Sequence, residues 1–193
     1  QDIQGQTFDY PEDFFKEKIH AIRRPRPDEF QIKEAAEKIK ASKNPIIISG
    51  GGVFYSDAME ELSKFAIKHN IPVTQTVMGY STMKRDHSHY AGQIGALGGK
   101  NTNSLAKQTD LAIAVGTKLA DFTTGSWTNF ENENFKLVSI NVSRFDANKH
   151  LAQAVVGDAR ASLNELSAAL GDWKVPDEWN NKSQIELKAW NEH

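Results

Sequence analysis

Short apolar runs that end in glycine or polar residues are the feature that most limits the folds open to this chain. Three such runs lie at positions 45–49, 111–115 and 137–142. Because successive side chains of a strand point to opposite faces, a run that is apolar nearly throughout predicts a strand buried on both faces. Strands of this kind are typical of parallel sheets that carry helices on both sides.

Amphipathic segments alternate with these runs and predict the helices of the same domain. Asp28 and Asp158 are suitable N-caps, and the pair Ser56 and Asp57 is expected to cap a further helix. The other predicted elements are strands at 71–75 and 154–157, a helix at 101–108, and loops at 79–100 and 118–135. The alternation predicts an α/β domain over residues 28–171, built on a parallel sheet with helices on both faces.

The two ends of the chain differ in composition from this domain. Residues 1–27 are polar and then basic, with two prolines that favour extended backbone, so we expect an arm or linker. The arginines at 23–26 are either solvated or available to a phosphate. Residues 172–193 are polar and predict a helix that docks on another surface. This tail carries three tryptophans that we expect to be exposed, Trp173, Trp179 and Trp190.

Composition excludes several classes of function. The 193 residues include no cysteine, which excludes thiolate zinc sites, cysteine nucleophiles and disulfide scaffolds. The 23 basic and 25 acidic residues nearly cancel, so no nucleic-acid partner is expected. No run approaches the roughly 18 apolar residues of a membrane-spanning helix, so no membrane partner is expected. The start at Gln1 suggests an excised piece, and we expect a cytoplasmic protein.

The carboxyl ends of the predicted strands carry a candidate ligand cleft. In an open parallel sheet these ends meet at one edge, where ligands bind. Glycines there allow close approach to a phosphate, but they also allow tight turns, and both interpretations stay open. A dinucleotide site is disfavoured, since Tyr55 replaces the third glycine and residues 73–75 hold no carboxylate for a ribose. The candidate cofactor-binding residues are Gly50, Gly51, Gly52, Gly116 and Thr117.

A loop at residues 121–127, which combines polar and aromatic side chains, is the other candidate site. At the carboxyl edge of a sheet it suggests a ligand or interface contact, although a packed cover over the core has the same composition. Asp86, His87 and His89 could begin a metal site, but no further ligand is identifiable. Standard nucleophile, phosphoryl-transfer and zinc-protease motifs are missing, so we predict no catalytic residue and no metal ligand.

Several blocks, read in order, resemble the central domain of thiamine-diphosphate-dependent enzymes of the acetolactate synthase type. The blocks are NPIIISGGGV at 44–53, IPVT at 71–74, DHS at 86–88, DLAIAVGTKL at 110–119 and GDA at 157–159, with Gly92 and Gly95 between them. The resemblance covers residues 28–171. It implies a Rossmann-like parallel sheet of six strands with helices on both faces.

Further segments resemble one subfamily of these enzymes, the trihydroxycyclohexane-dione hydrolases of myo-inositol catabolism. They are FDYP at 8–11 with IRRP at 22–25, DFTTGSWT at 121–128, and NV at 141–142 followed by FDANKH at 145–150. The resemblance implies hydrolysis of a carbon–carbon bond of a cyclic dione to give 5-deoxyglucuronate, with thiamine diphosphate and Mg²⁺. The candidate substrate-side residues are Asp121, Thr123, Thr124 and Trp127.

The resemblance also implies that the catalytic groups lie outside this chain. In the family, an N-terminal domain supplies the glutamate that activates the cofactor, and a Gly-Asp-Gly motif in a C-terminal domain holds the diphosphate and Mg²⁺. The sequence at 157–159 ends in alanine and is not that motif. We therefore expect the chain to be inactive alone, with residues 1–27 and 172–193 leading toward those domains, in a parent that is a homodimer or larger.

Two other interpretations stay open. The chain could be the FAD-binding central domain of an acetolactate synthase-like enzyme, or a free-standing nucleotide-binding module. Residues 79–81 read Gly-Tyr-Ser where many relatives have Gly-Lys-Gly, which weakens the expectation of inherited nucleotide contacts.

Overall fold

The computed structural model describes residues 1–192 and places six strands in one sheet. All neighbouring strands are parallel, in the order β3-β2-β1-β4-β5-β6. The strands are β1 Pro45–Ser49, β2 Val73–Gln75, β3 Tyr90–Gln93, β4 Leu111–Val115, β5 Lys136–Asn141 and β6 Gln153–Val156. This sheet confirms the predicted α/β fold with about six parallel strands.

The helices form two groups on opposite faces of the sheet. They are α1 Glu29–Lys40, α2 Gly51–Tyr55, α3 Met59–His69, α4 Lys100–Gln108, α5 Asp121–Thr124, α6 Arg144–Ala147, α7 Ala159–Leu170 and α8 Asp177–Asn191. The helices α1 and α3 pack on α7, whereas α4 packs on α8. The connection from β1 to β2 and the connection from β3 to β4 run in opposite directions across the sheet. Right-handed connections then place α3 and α4 on opposite faces.

The central strands β1 and β4 form the core that their sequences predict. Every residue of both strands is buried, and Ile46 pairs with Ala112 while Ile47 pairs with Ile113. Full burial of an isoleucine-sized side chain contributes about 1.5–3 kcal/mol. Burial on both faces explains why the two strands lack the apolar–polar alternation of a sheet with one wet face.

The predicted loops at 79–100 and 118–135 are wrong in part, because β3 lies in the first and the short helix α5 in the second. Gly92 interrupts the apolar pattern of β3, and its φ of +100° is a conformation that favours glycine. The strand is at the edge of the sheet, where α8 covers it. The side-chain nitrogen of Gln184 donates to the carbonyl oxygen of Tyr90 at 3.0 Å.

Two of the three predicted N-caps are confirmed. The Asp28 carboxylate accepts from the backbone N–H groups of Phe30 and Gln31 at the start of α1. The Asp158 carboxylate accepts from those of Arg160 and Ala161 at the start of α7. The prediction that residues 56–57 cap α3 is wrong, since Ala58 is the N-cap and offers no side-chain bond. Ser56 instead ends α2, and its hydroxyl donates to Asp158 at 2.8 Å.

The tail is folded onto this domain, which corrects the expectation that Trp179 is exposed. Only 6% of Trp179 is accessible, and its indole N–H donates to the carbonyl oxygen of Pro45 at 2.8 Å. Trp173, which precedes α8, is also held: its carbonyl oxygen accepts from Nδ1 of His69 at 2.7 Å. Burial lowers the pKa of His69, although that bond opposes the shift. Trp173 packs partly buried against the core, and Trp190 is 45% exposed.

The arm is exposed up to Arg26 and joins the domain through its last residues. The guanidinium group of Arg24 donates to the carbonyl oxygen of Ser56 and to the Asp158 carboxylate. The N–H of Asp158 donates to the carbonyl oxygen of Pro25 at 2.8 Å, and Pro27 is buried. Within residues 1–192, no helix combines the length and the apolar character needed to cross a membrane.

Candidate functional site

The candidate site is a cleft at the carboxyl ends of the strands. Its neighbours β1 and β4 continue into connections that leave in opposite directions, which opens a crevice between them. The cleft has a volume of about 1010 Å³ and lies among the turns that follow β1, β2, β4, β5 and β6. It therefore occupies the position that the sequence predicts for a ligand cleft.

Four of the five predicted cofactor-binding residues line this cleft, namely Gly51, Gly52, Gly116 and Thr117. Gly50 does not, because it is buried beneath the start of α2. A Cβ atom on Gly52 would lie 2.6 Å from the Cα of Gly116, whose φ is +60°. The glycines thus have a structural reason of their own: they allow α2 to begin directly against the turn that follows β4.

Only one of the four predicted substrate-side residues, Thr123, lines the cleft. Asp121 begins α5 and is exposed away from it. Thr124 is fully buried, and its hydroxyl oxygen accepts from the N–H of Trp127 at 3.2 Å. The ring of Trp127 lies on His150, with 4.3 Å between the ring centroids. The structure therefore does not gather these four side chains at the cleft.

The remaining cleft residues include several that the sequence analysis did not select. The large apolar ones with exposed side chains are Ile22, Tyr55, Val77, Met78, Leu97, Phe122 and Val142. The charged and polar ones include Arg23, Lys118, Asn141, Ser143, Asp146 and Asp158. Two of them could have been found from the sequence, since Asn141 ends one predicted strand and Lys118 closely follows another. The contribution of the arm, through Ile22, Arg23 and Pro25, depends on a tertiary contact and has no local signal.

The charges in the cleft favour an anionic or neutral partner. Lys149 donates to Asp146 at 2.7 Å and lowers the pKa of that carboxyl. Asp158 is occupied by Arg24 and by the N–H groups of α7. Within residues 1–192, the cations Arg23 and Lys118 have no ion-pair partner. Both carboxylates are therefore neutralised, whereas both of these cations remain available.

The comparison with known families now identifies the chain. Residues 32–166 match the family model for the thiamine pyrophosphate enzyme, central domain. The chain belongs to this family. Since the match spans both halves of the sheet, from α1 to α7, it includes every strand that borders the cleft.

Curated relatives of this thiamine pyrophosphate enzyme central domain are named 3D-(3,5/4)-trihydroxycyclohexane-1,2-dione hydrolase. The relative from Clostridium perfringens (strain 13 / Type A) is 41% identical over 192 residues, which is 100% of this chain and 30% of the relative. One from Geobacillus thermodenitrificans is 40% identical over 99% of this chain and 29% of the relative. One from Clostridium tetani is 44% identical over 98% of this chain and 30% of the relative. The chain thus spans about 30% of the length of these relatives.

Asp158, which lines the cleft, is not available as a ligand for Mg²⁺. Mg²⁺ needs free carboxylate or amide oxygens, but both oxygens of Asp158 already accept hydrogen bonds. Nδ1 of His87 accepts from the N–H of His89, so the two histidines do not form a metal pair. Among residues 1–192, no group of three or more histidine, cysteine, aspartate or glutamate side chains could hold a metal ion.

Asp158 is expected to matter more for stability than its role as a helix cap alone suggests. Asp158→Ala removes the acceptor of four hydrogen bonds at a buried position and leaves Arg24 unpaired. We expect a loss of about 2–3 kcal/mol in the free energy of unfolding, measured by urea denaturation.

The matched control is Asp28→Ala, which removes the exposed cap of α1, a helix of the same length. Loss of such a cap costs about 1 kcal/mol. Equal losses in the two variants would show that the contacts of Asp158 with the arm and with Ser56 add nothing.

Proposed function

We propose that the chain is the central part of a thiamine-diphosphate-dependent hydrolase that cleaves a carbon–carbon bond of trihydroxycyclohexane-1,2-dione to give 5-deoxyglucuronate. The observation that carries this proposal is identity of about 41% along the whole chain. The similarity includes the arm and α8, which lie outside the family match at 32–166. This match along the whole chain, beyond the shared domain, supports this hydrolase in particular.

In this proposal the chain has no catalytic residue of its own. The cofactor and Mg²⁺ are held by other domains of the parent. Two observations support this: residues 157–159 are not the Gly-Asp-Gly motif, and both oxygens of Asp158 already accept hydrogen bonds. The chemistry at carbon is supplied by the cofactor, and the protein supplies binding and orientation. The central domain joins the catalytic domains, and the part of its cleft that includes Thr123 borders the substrate entrance.

The proposed partners follow from the same reasoning. They are the N-terminal and C-terminal domains of the parent, in a cytoplasmic homodimer or larger assembly. The chain's small share of its relatives' length supports the other domains. The occupied contacts of Arg24 and Trp179 support fixed, ordered junctions at both ends of the chain.

One observation favours a second function. The cleft has a volume of about 1010 Å³ and lies where nucleotides bind in open parallel sheets. It also carries two cations, Arg23 and Lys118, that have no ion-pair partner among residues 1–192. A central domain that holds FAD in an acetolactate synthase-like enzyme, or a nucleotide-binding module, would use this cleft. The residues at 79–81 and the full-length similarity to the hydrolases weigh against it.

Ligand-dependent stability separates the two functions. Thermal unfolding of the parent polypeptide should shift upward by several degrees with thiamine diphosphate plus Mg²⁺, whereas this chain should shift with neither that mixture nor FAD. A ligand at about 100 times its dissociation constant adds roughly 2.7 kcal/mol, or about 5–10 °C for a chain of this size.

Mg²⁺ alone and FMN serve as controls for non-specific stabilisation. The parent is also assayed for release of 5-deoxyglucuronate with and without thiamine diphosphate. A shift of this chain with FAD would favour the acetolactate synthase-like function. Absence of hydrolysis by a folded, cofactor-loaded parent would refute the proposed reaction.

A further inference from the structure

We infer that the large apolar side chains around the cleft form a docking surface for the catalytic part of the same polypeptide. This inference rests on the proposed function, because it requires a parent with further domains. We call this surface the apolar rim. It consists of Tyr55, Val77, Met78, Leu97, Phe122 and Val142, which all line the cleft.

The apolar rim places six exposed apolar side chains around one cleft. Each of its six side chains is more than half accessible, from 52% at Val77 to 73% at Tyr55. Single exposed apolar residues are ordinary, but several side by side mark an interface with another protein part or a ligand. They also come from five separate turns of the chain, so no single mobile loop accounts for their exposure.

The arm indicates which occupant covers the apolar rim. Ile22, Arg23 and Pro25 line the same cleft, and Arg24 fixes this stretch to Ser56 and Asp158. In the longer relatives about 70% of the polypeptide lies outside the matched part, as expected for a central domain. The segment that joins this domain to the preceding part therefore runs along the apolar rim, and the tether holds that part next to it.

The charged side chains beside the apolar rim indicate which charges the docking part carries. Arg23 and Lys118 stand beside the apolar rim without ion-pair partners among residues 1–192, whereas Asp146 and Asp158 are paired with Lys149 and Arg24. A matching surface has an apolar centre and carboxylates at its border, the usual pattern of an interface with a polar margin.

Methionine oxidation tests the inference with residues that the chain already contains. Met78 belongs to the apolar rim and is 71% exposed, Met83 is 6% exposed, and Met59 lies partly buried at the start of α3. Hydrogen peroxide oxidises accessible methionines first. Mass spectrometry of this chain and of the cofactor-loaded parent compares the three rates. We expect Met78 to react about tenfold more slowly in the parent, as burial in an interface core excludes water, with Met59 and Met83 little changed.

A matched pair of variants of the parent supplies the second measurement. Phe122→Asp places a charge in the apolar rim, and Ile67→Asp places one on an equally exposed position of α3 outside the cleft. We expect Phe122→Asp alone to restore fast oxidation of Met78 in the parent, while neither variant changes the melting temperature of this chain by more than a degree or two.

Several results would overturn the docking surface. One is equal reactivity of Met78 in the chain and in the parent. Another is slow oxidation of Met78 in this chain alone, because its own arm, a second copy at higher concentration, or added FAD would then be what covers the apolar rim. Hydrolysis by the wild-type parent is measured separately, so a parent that hydrolyses the dione with a reactive Met78 refutes the docking surface only. Protection of Met78 in a parent without that activity refutes only the proposed reaction.

Discussion

Replacing Gly116 with alanine is expected to lower the free energy of unfolding by about 3–5 kcal/mol. Two costs combine at this position. The φ of +60° disfavours any residue with a Cβ atom. That Cβ would also lie 2.6 Å from the Cα of Gly52 and 2.9 Å from the backbone nitrogen of Val53, neither of which can move without shifting α2. Urea denaturation, followed by circular dichroism, measures the loss.

Gly171→Ala is the matched control for this variant. Gly171 has nearly the same φ, +62°, but apart from its chain neighbours no atom of residues 1–192 lies within 4 Å of the position that its Cβ would take. It therefore reports the conformational cost without crowding, which we expect to be about 1–3 kcal/mol, since its ψ is −126°. If both variants lose the same stability, the contact between α2 and the turn after β4 is looser than the structure shows. A larger loss for Gly116→Ala means that glycine is needed there even with the cleft empty of ligand.

The glycines show how far the sequence could be interpreted at the site. Their position after apolar strands correctly predicts a cleft at the carboxyl edge of the sheet. It does not reveal that Gly52 and Gly116 touch each other, since this contact joins segments that are distant in the chain. A glycine that approaches a phosphate and a glycine that approaches another backbone look alike in a sequence. Only the fold separates these two requirements.

The loop at residues 121–127 shows why the sequence could not tell which of its side chains face the cleft. Two of its residues, Phe122 and Thr123, line the cleft, but α5 is a single turn. A single turn has no repeating pattern from which the cleft-facing side could be deduced. The structure turns Phe122 and Thr123 toward the cleft and buries Thr124 beneath them. The apolar member, Phe122, is the one that the emphasis on polar chemistry missed.

Whether a strand could be predicted likewise depends on whether its burial has a local or a distant cause. β1 and β4 are predictable because burial on both faces is expressed in every residue of the run. β3 is not, since Gly92 interrupts its pattern and its burial depends on α8, which lies about 90 residues later in the chain. The contact between Arg24 and Asp158 likewise joins distant segments. Distant contacts of this kind leave no periodic signal in the sequence.

Trp179→Ala is expected to cost about 3–5 kcal/mol, the usual range for truncating a buried tryptophan. Its ring is 6% exposed, and its N–H donates to the carbonyl oxygen of Pro45, the first residue of β1. The variant therefore removes both the apolar contact and the bond that fix α8 against the sheet. Intrinsic fluorescence and circular dichroism during urea denaturation should report one cooperative transition for this chain, shifted to lower urea.

Trp190→Ala is the control on the same helix. Trp190 is 45% exposed and lies near the end of α8, so its truncation should cost no more than about 1 kcal/mol. This pair decides where the central domain ends. A large loss for Trp179→Ala, together with a single transition, makes α8 part of the cooperative unit, and the domain then extends beyond residue 171. Equal, small losses would make α8 a linker that leads toward the next domain, since a helix that adds no stability is not part of the folded core.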